Sequence, residues 1–460
     1  MFRHFVGANV RRPIGPAIVV AMALGTSLAH GQSVAIEVND SATGDDDYLC
    51  WTPVKARARL ASAPGNATTQ TVTLTSESDA GGGAVQFQIF QGAPPTRDSY
   101  APTPSLTIDL PADGSWRSFW VAGDRPSSGA KDTRIVAKAQ DGASLGSLPL
   151  MVRVRKNADA LTALEVSNLF NALRTLHDVD AGDAANSQFV PYARLHRAAN
   201  NNEIHKAPLF LPWHRAFVLD LERRLQAINP AVSIPYWKFE RASVALFVPA
   251  FMGTTVPGQT FTPGPWFDHW LDPELGSLFR EPAVPPTNAL VNESLSNQFD
   301  EKYSVFRGQL ESQFHQGVHR TVGGWLGSPS SPADPLFFLL HANVDRVWAH
   351  WQAKHDRFVA EDDKAYAPQG KYPGTGADFG FTKGVYKDDA MWPWSASSAG
   401  GSAPWPPANH PMPQSSHSSG APIEPTPGSM IDYLDVRGQG LALGYCYDDI
   451  DFKGAARVSP

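Results

Sequence analysis

The sequence predicts a mainly α region preceded by an all-β sandwich of immunoglobulin-like size. Three observations carry this expectation. Residues 33–156 alternate apolar and polar side chains, residues 157–365 switch to a helical period, and residues 366–428 are rich in Gly, Pro, Ser and Trp. The apolar tail, 429–460, is expected to return to the helical part.

In the first part, Val34, Ile36 and Val38 alternate with other residues, as do Ala56, Ala58 and Leu60 with Lys55, Arg57 and Arg59. Phe87 with Ile89, Leu106 with Ile108, and Leu150 with Val152 and Val154 continue the pattern. Successive side chains of a strand point to opposite faces, so each run offers one apolar face to a core. Gly81-Gly82-Gly83 and Pro94-Pro95 break the runs as turns, and short strands so separated fit a sandwich. In the second part, Leu161, Leu164, Leu169, Leu173 and Leu176 open a helix-rich region. The stretch 366–428, with Met391-Trp392-Pro393-Trp394 and Trp405-Pro406-Pro407, has the composition of a segment that wraps a surface.

Composition narrows the function classes. A chain of 460 residues that is 42% hydrophobic can bury a large core, and its net charge of -7, without a long run of one sign, lacks a nucleic-acid footprint. Residues 1–32 read as an export signal: Arg3, Arg11 and Arg12 precede an apolar stretch, and Ala29-His30-Gly31 follows it. That stretch is shorter than the ~20 residues that span a bilayer, so a secreted or periplasmic protein without a membrane span is expected. Cys50 and Cys446 are the only cysteines. In an exported chain they point to one disulfide joining the β part to the tail, with two free buried thiols as the alternative.

Six of the fourteen histidines form two groups of three. His196, His205 and His214 are spaced nine apart, which on one helix would rotate each by about half a turn from the last, and Pro208 and Pro212 exclude a single helix. The expected arrangement places His196 on one helix, His205 on a loop and His214 at the start of a helix whose inner face carries Phe217, Leu221 and Leu225. His315 and His319, four apart, share a helix face that Gly323-Gly324 ends. Asp334-Pro335 then reads as an N-cap and first residue of a helix bearing Phe337, His341 and Asp345 along one face. His177, His269, His350, His355, His410 and His417 fit neither group and are read as ordinary packing or surface residues. All-imidazole sites suit copper, zinc, iron or nickel. Two such groups offer to hold two copper(I) ions, each with a free position, and two adjacent copper(I) ions supply the two electrons that take O2 to peroxide.

The residues around these histidines go further. Phe210-Leu211-Pro212-Trp213-His214-Arg215, Pro235-Tyr236-Trp237, Asp334-Pro335-Leu336-Phe337, the run from His341 to Trp348, and Tyr445-Cys446-Tyr447 resemble motifs of the tyrosinase and polyphenol oxidase family. The resemblance implies a four-helix bundle holding a binuclear type 3 copper site. His196, His205 and His214 would hold the first copper, and His315, His319 and His341 the second. It also implies oxidation of o-diphenols to o-quinones by O2, with or without prior ortho-hydroxylation of monophenols. Phe337 would pack beneath a ligand of the second copper, with Asn343 and Asp345 supporting the same helix. Glu311, at i-4 from His315, would hold a water that helps deprotonate a monophenol, and Gln316 would assist it where relatives have asparagine.

This chain departs from the family pattern at Lys238, where aspartate is frequent, and at Leu340, where many members have a histidine. Glu203 and Ile204 precede His205, so no cysteine there can bridge to it. Competing expectations are a haemocyanin-like oxygen carrier with the same copper pair, a zinc hydrolase, and a β-sandwich that binds glycans or surfaces beside an inactive oxidase.

Overall fold

The computed structural model describes residues 33–39, 48–62, 69–179, 183–199, 204–241, 243, 245–254, 261–282, 299–366, 386–389, 391–394, 412–413 and 424–455. The expected export signal and most of 366–428 lie outside these residues.

Nine strands come first: β1 (Ser33–Val38), β2 (Tyr48–Leu49), β3 (Val54–Ser62), β4 (Thr69–Ser78), β5 (Ala84–Ile89), β6 (Ser105–Pro111), β7 (Arg117–Arg125), β8 (Thr133–Lys138) and β9 (Ser144–Val152). One sheet has the order β1-β3-β7-β5, the other β2-β9-β8-β4-β6. All neighbours run antiparallel except β2 and β9. The period-two pattern sets the register of burial: Val34, Ile36 and Val38 face Leu60, Ala58 and Ala56 across the β1–β3 ladder, and all six are buried. Ile89 departs from this expectation. It ends β5, the edge strand of its sheet, and is 57% exposed although its register partner Phe119 is buried.

The helices follow: α1 (Ala163–His177), α2 (Pro191–Ala199), α3 (Phe210–Ile228), α4 (Tyr303–Gln309), α5 (Gln316–Val322) and α6 (Leu336–His355). Thr162 and Glu165 form a capping box at the start of α1. Pro212 lies inside the first turn of α3, where its missing N–H would have had no helical partner. A six-residue π turn, Leu310–His315, joins α4 to α5. The expected helix-rich region is interrupted between α3 and α4, where the described residues form loops, a 3-10 turn and a two-stranded hairpin. Pro230, Pro235, Pro249, Pro263, Pro265 and Pro273 recur there, each limiting how far a helix can run. Among the described residues no helix is long and apolar enough to cross a membrane.

The tail returns to the boundary between strands and helices. Arg155 and Tyr447 form a parallel bridge, with Arg155 N–H donating to Cys446 O and Asp448 N–H to Arg155 O. Cys50 and Cys446 are joined by a disulfide. Beside it Trp51 Nε1–H donates to Tyr447 O at 2.7 Å, and Thr52 Oγ1 to Leu434 O at 2.9 Å.

A bridge closing 396 residues of chain contributes about 6 kcal/mol in the chain-entropy picture. The Cys50→Ser, Cys446→Ser double variant is therefore expected to melt several degrees below the unaltered protein. Coincident thermal unfolding curves would show that the junction stands on its non-covalent contacts alone.

Candidate metal centre

Each histidine group converges. His196 comes from α2, His205 from the loop after it and His214 from the second turn of α3. His315 ends the π turn, His319 lies on α5 and His341 on α6. Within each triad one ligand-capable atom per residue lies within 4.8 Å of the other two. The triads also adjoin: the rings of His214 and His341 stack at 4.3 Å, and those of His205 and His315 at 5.8 Å. Nothing in the spacing alone required this pairing.

Backbone carbonyls orient half of the rings. His196 Nδ1 faces Pro329 O at 2.8 Å, His214 Nδ1 faces Phe210 O at 2.7 Å, and His319 Nδ1 faces Leu326 O at 2.6 Å. A carbonyl only accepts, so each Nδ1 carries the proton and each Nε2 keeps its lone pair. The Nε2 atoms of His196 and His214 are buried without a hydrogen-bond partner. In the second triad, His341 Nε2 faces His315 Nε2 at 3.2 Å and His319 Nε2 at 3.3 Å. Converging lone pairs in an apolar surround are what a cation would satisfy, so the donor set fits metal ions.

Burial holds the imidazoles neutral. It lowers His196 and His319 to about 4, and lowers His205, His214, His315 and His341 well below the ordinary value, with neighbouring imidazoles adding to the effect. Neutral imidazole is the form that ligates a metal. His177, read as packing, does pack: it stacks on Trp270 at 4.0 Å, with Nε2 at 3.0 Å from Leu271 O.

The neighbours of the triads have distinct contacts. The ring of Phe337 lies 4.1 Å from that of His341, as the helical spacing predicts. Asp334 Oδ1 accepts the Leu336 N–H at 2.9 Å, capping α6, while the carboxylate also takes two donors from buried Arg280. Asn343 donates to Glu240 and accepts from Arg346, bracing α6. Leu340 is fully buried. The Glu311 carboxylate is buried and doubly engaged, accepting from the Lys206 backbone N–H at 2.5 Å and from Arg307 Nη1 at 2.7 Å. Burial raises its pKa, opposed by Lys206 and Arg307. The π turn was not expected. Glu311 and His315 both lie in it, and the Glu311 carboxylate is turned to Lys206 and Arg307.

Asp345 has the contacts that sequence reasoning missed. It accepts from Arg155 Nη1 at 3.2 Å, Arg215 Nε at 2.5 Å, Tyr445 OH at 2.8 Å and Tyr447 OH at 2.6 Å. Glu222 shares Arg155, at 2.7 Å. An arginine within the apolar face of α3 is the one local signal for such a network. Its partners are too distant in sequence to be found from it.

A cavity of about 370 Å³ opens onto both triads, lined by His196, His205, His315 and His319 and by Gln316, Leu326 and Pro329 among others. Lys206 and Arg320 supply cationic side chains, and among the described residues no carboxylate lines it. Among the described residues, none that lines it comes from the strands.

The common central domain of tyrosinase matches residues 186–354. Tyrosinase of Streptomyces lincolnensis is 33% identical over 223 residues, 42% of this chain and 75% of that protein. Tyrosinase of Streptomyces glaucescens is 30% identical over 281 residues, 53% of this chain and 93% of that protein. The chain belongs to the tyrosinase family. Hemocyanin 1 of Megathura crenulata is also similar, 28% identical over 245 residues, 46% of this chain but 7% of that protein. Like other members of the tyrosinase family, the protein is a type 3 copper protein and an oxidoreductase, with a pair of copper ions as cofactor.

Removing the charge at Asp345 leaves Arg215, fully buried, without its carboxylate. Asp345→Asn is expected to destabilise the metal-free protein by about 3–5 kcal/mol, read from denaturant unfolding. A change below about 1 kcal/mol would contradict the weight given to this carboxylate.

Proposed function

We propose that the protein is an exported copper oxidase that oxidises small o-diphenols to o-quinones. The observation that carries this is a cavity that ends on both histidine triads. His196, His205 and His214 hold one copper and His315, His319 and His341 the other. The bound pair supplies the redox chemistry, passing electrons from the phenol to O2. Two catechols and one O2 give two o-quinones and two waters, so no other reductant is needed. In this reading the four helical units carrying α2, α3, α4–α5 and α6 form a four-helix bundle, and the strands an immunoglobulin-like sandwich.

The chain's own groups bind and orient. Leu326 and Pro329 offer the phenol ring an apolar wall, and Phe337 keeps the His341 ring in place. Gln316 is the amide in that wall that can orient a water toward a phenol hydroxyl. The Glu311 carboxylate is already engaged, which supports a weak ortho-hydroxylation of monophenols beside robust diphenol oxidation.

The purified protein is expected to hold two coppers per chain and to consume O2 with catechols. His214→Ala or His319→Ala is expected to lose one copper and all measurable turnover. Metal analysis and oxygen uptake decide this. Zinc in place of copper would defeat the reading, and O2 binding without catechol turnover would assign a carrier instead.

Lys206 and Arg320 at the cavity also set a charge preference. A catechol bearing a carboxylate is expected to show a kcat/KM about 5- to 10-fold above that of a catechol amine, as exposed ion pairs contribute up to about 1 kcal/mol. The Lys206→Gln, Arg320→Gln pair should bring the ratio near one, as should high salt. Equal rates for acid and amine in the unaltered protein would refute the preference.

A further inference from the structure

His205 is the loop-borne imidazole of the first triad, set between α2 and α3. The rings of His196, His214 and His319 are fixed through Nδ1 to backbone carbonyls. His205 Nδ1 is buried and has no such partner. His315 and His341 also lack one, but each is held on a helical backbone and packs against an aromatic ring: Phe210 at 4.9 Å and Phe337 at 4.1 Å. The His205 ring also lies against Phe210, at 5.8 Å, but no helix holds its backbone, so its direction depends on how the loop beside it is held.

That backbone is unusual at the next residue. Lys206 has φ 57°, the left-handed region that a residue with a Cβ seldom adopts. Such a conformation persists where the surroundings over-determine it. Its N–H donates to Glu311 Oε1 at 2.5 Å, and the other carboxylate oxygen is taken by Arg307 Nη1 at 2.7 Å. Glu311 is only 2% exposed, so a strong, charge-assisted bond is what offsets its burial. It stands in the π turn that delivers His315 to the second triad. Widened turns of this kind are costly and are kept mainly where a site needs them.

We propose that Glu311 is a positioning residue that pins the His205 loop to the helix carrying the second triad. Through the Lys206 N–H it sets the place of His205 and keeps the two triads in register with each other. This rests on the assignment of His205 as a copper ligand, and goes beyond it by naming the group that holds the ligand in place. Gly, which adopts this φ freely, would not need the same anchor at 206.

Three variants test the idea: Glu311→Ala, Glu311→Gln, which keeps an acceptor oxygen, and Arg307→Met, which removes the charge partner of the carboxylate. Hydrogen exchange of the metal-free protein reads the pin directly, and copper loss to a chelator reads its effect on the site. Glu311→Ala is expected to speed amide exchange in the segment holding Lys206, and to release one of the two coppers about 10- to 100-fold faster. Glu311→Gln and Arg307→Met should stay within a few-fold of the unaltered protein on both measures. If Glu311→Ala does not fold, Glu311→Asp, too short to reach the loop, takes its place. Exchange and copper loss unchanged in the shortened variant would overturn the proposal. So would Glu311→Gln behaving like the alanine variant, since the acceptor oxygen would then not be what matters. Failure of the unaltered protein to bind two coppers would reject the ligand assignment, while the exchange measurement on metal-free protein still decides the pin.

Discussion

A carboxylate buried at the meeting of four chain segments organises this molecule. Asp345 stands four residues after His341 on α6, and receives two guanidinium groups and two phenol hydroxyls. Arg155 comes from the end of the strand-rich part, Arg215 directly follows His214 on α3, and Tyr445 and Tyr447 flank the cysteine of the tail. Burial disfavours the charge on both arginines, and the carboxylates beside them outweigh it. Four donors on one acceptor leave little freedom. The helices that present His214 and His341 are thereby referred to a common point, and the disulfide closes beside it.

The same logic, with opposite sign, governs the centre. The imidazoles are surrounded by Phe210, Trp213, Phe217 and Phe337, and among the described residues only Asp334, acting on His319, favours a proton on one of them. They stay neutral because charging them without solvent is costly. Charged groups appear at the cavity mouth as Lys206 and Arg320, and deeper in as fully paired ions behind the helices. The protein thus separates a neutral metal-binding interior from an ionic scaffold. Backbone carbonyls at Pro329, Phe210 and Leu326 mediate between them by fixing ring tautomers without adding charge.

The strand-rich part contributes rigidity more than a wall. Its last strand runs into Arg155, and Trp51 and Thr52 bond the tail. The Trp-rich segment acts on the other side, where Trp213 Nε1–H donates to Trp392 O and Trp394 Nε1–H to Asp220. The Trp-rich segment therefore braces α3, and the strand-rich part braces α6 through Arg155 and Asp345. The described residues lining the cavity come from the helices and their loops.

Much of this was written locally. The alternation of β1 and β3, the breaks at Gly323 and Pro208, the aromatic partner of His341 and the grouping of the six histidines follow from side-chain period and backbone preference. So does the loop placement of His205, because prolines on its C-terminal side forbid a continuous helix. What the tertiary structure alone decided lies between residues far apart in sequence. Arg215 and Asp345 are separated by 130 residues, Arg155 and Asp345 by 190, and the juxtaposition of the two triads depends on α3 meeting α6. The π turn belongs here too, since a short run such as Leu310–His315 carries no distinct period. Local chemistry selects turns, faces and caps over a few residues. Which buried charge finds which partner, and which imidazoles face one another, is settled only when the packed elements exclude water together.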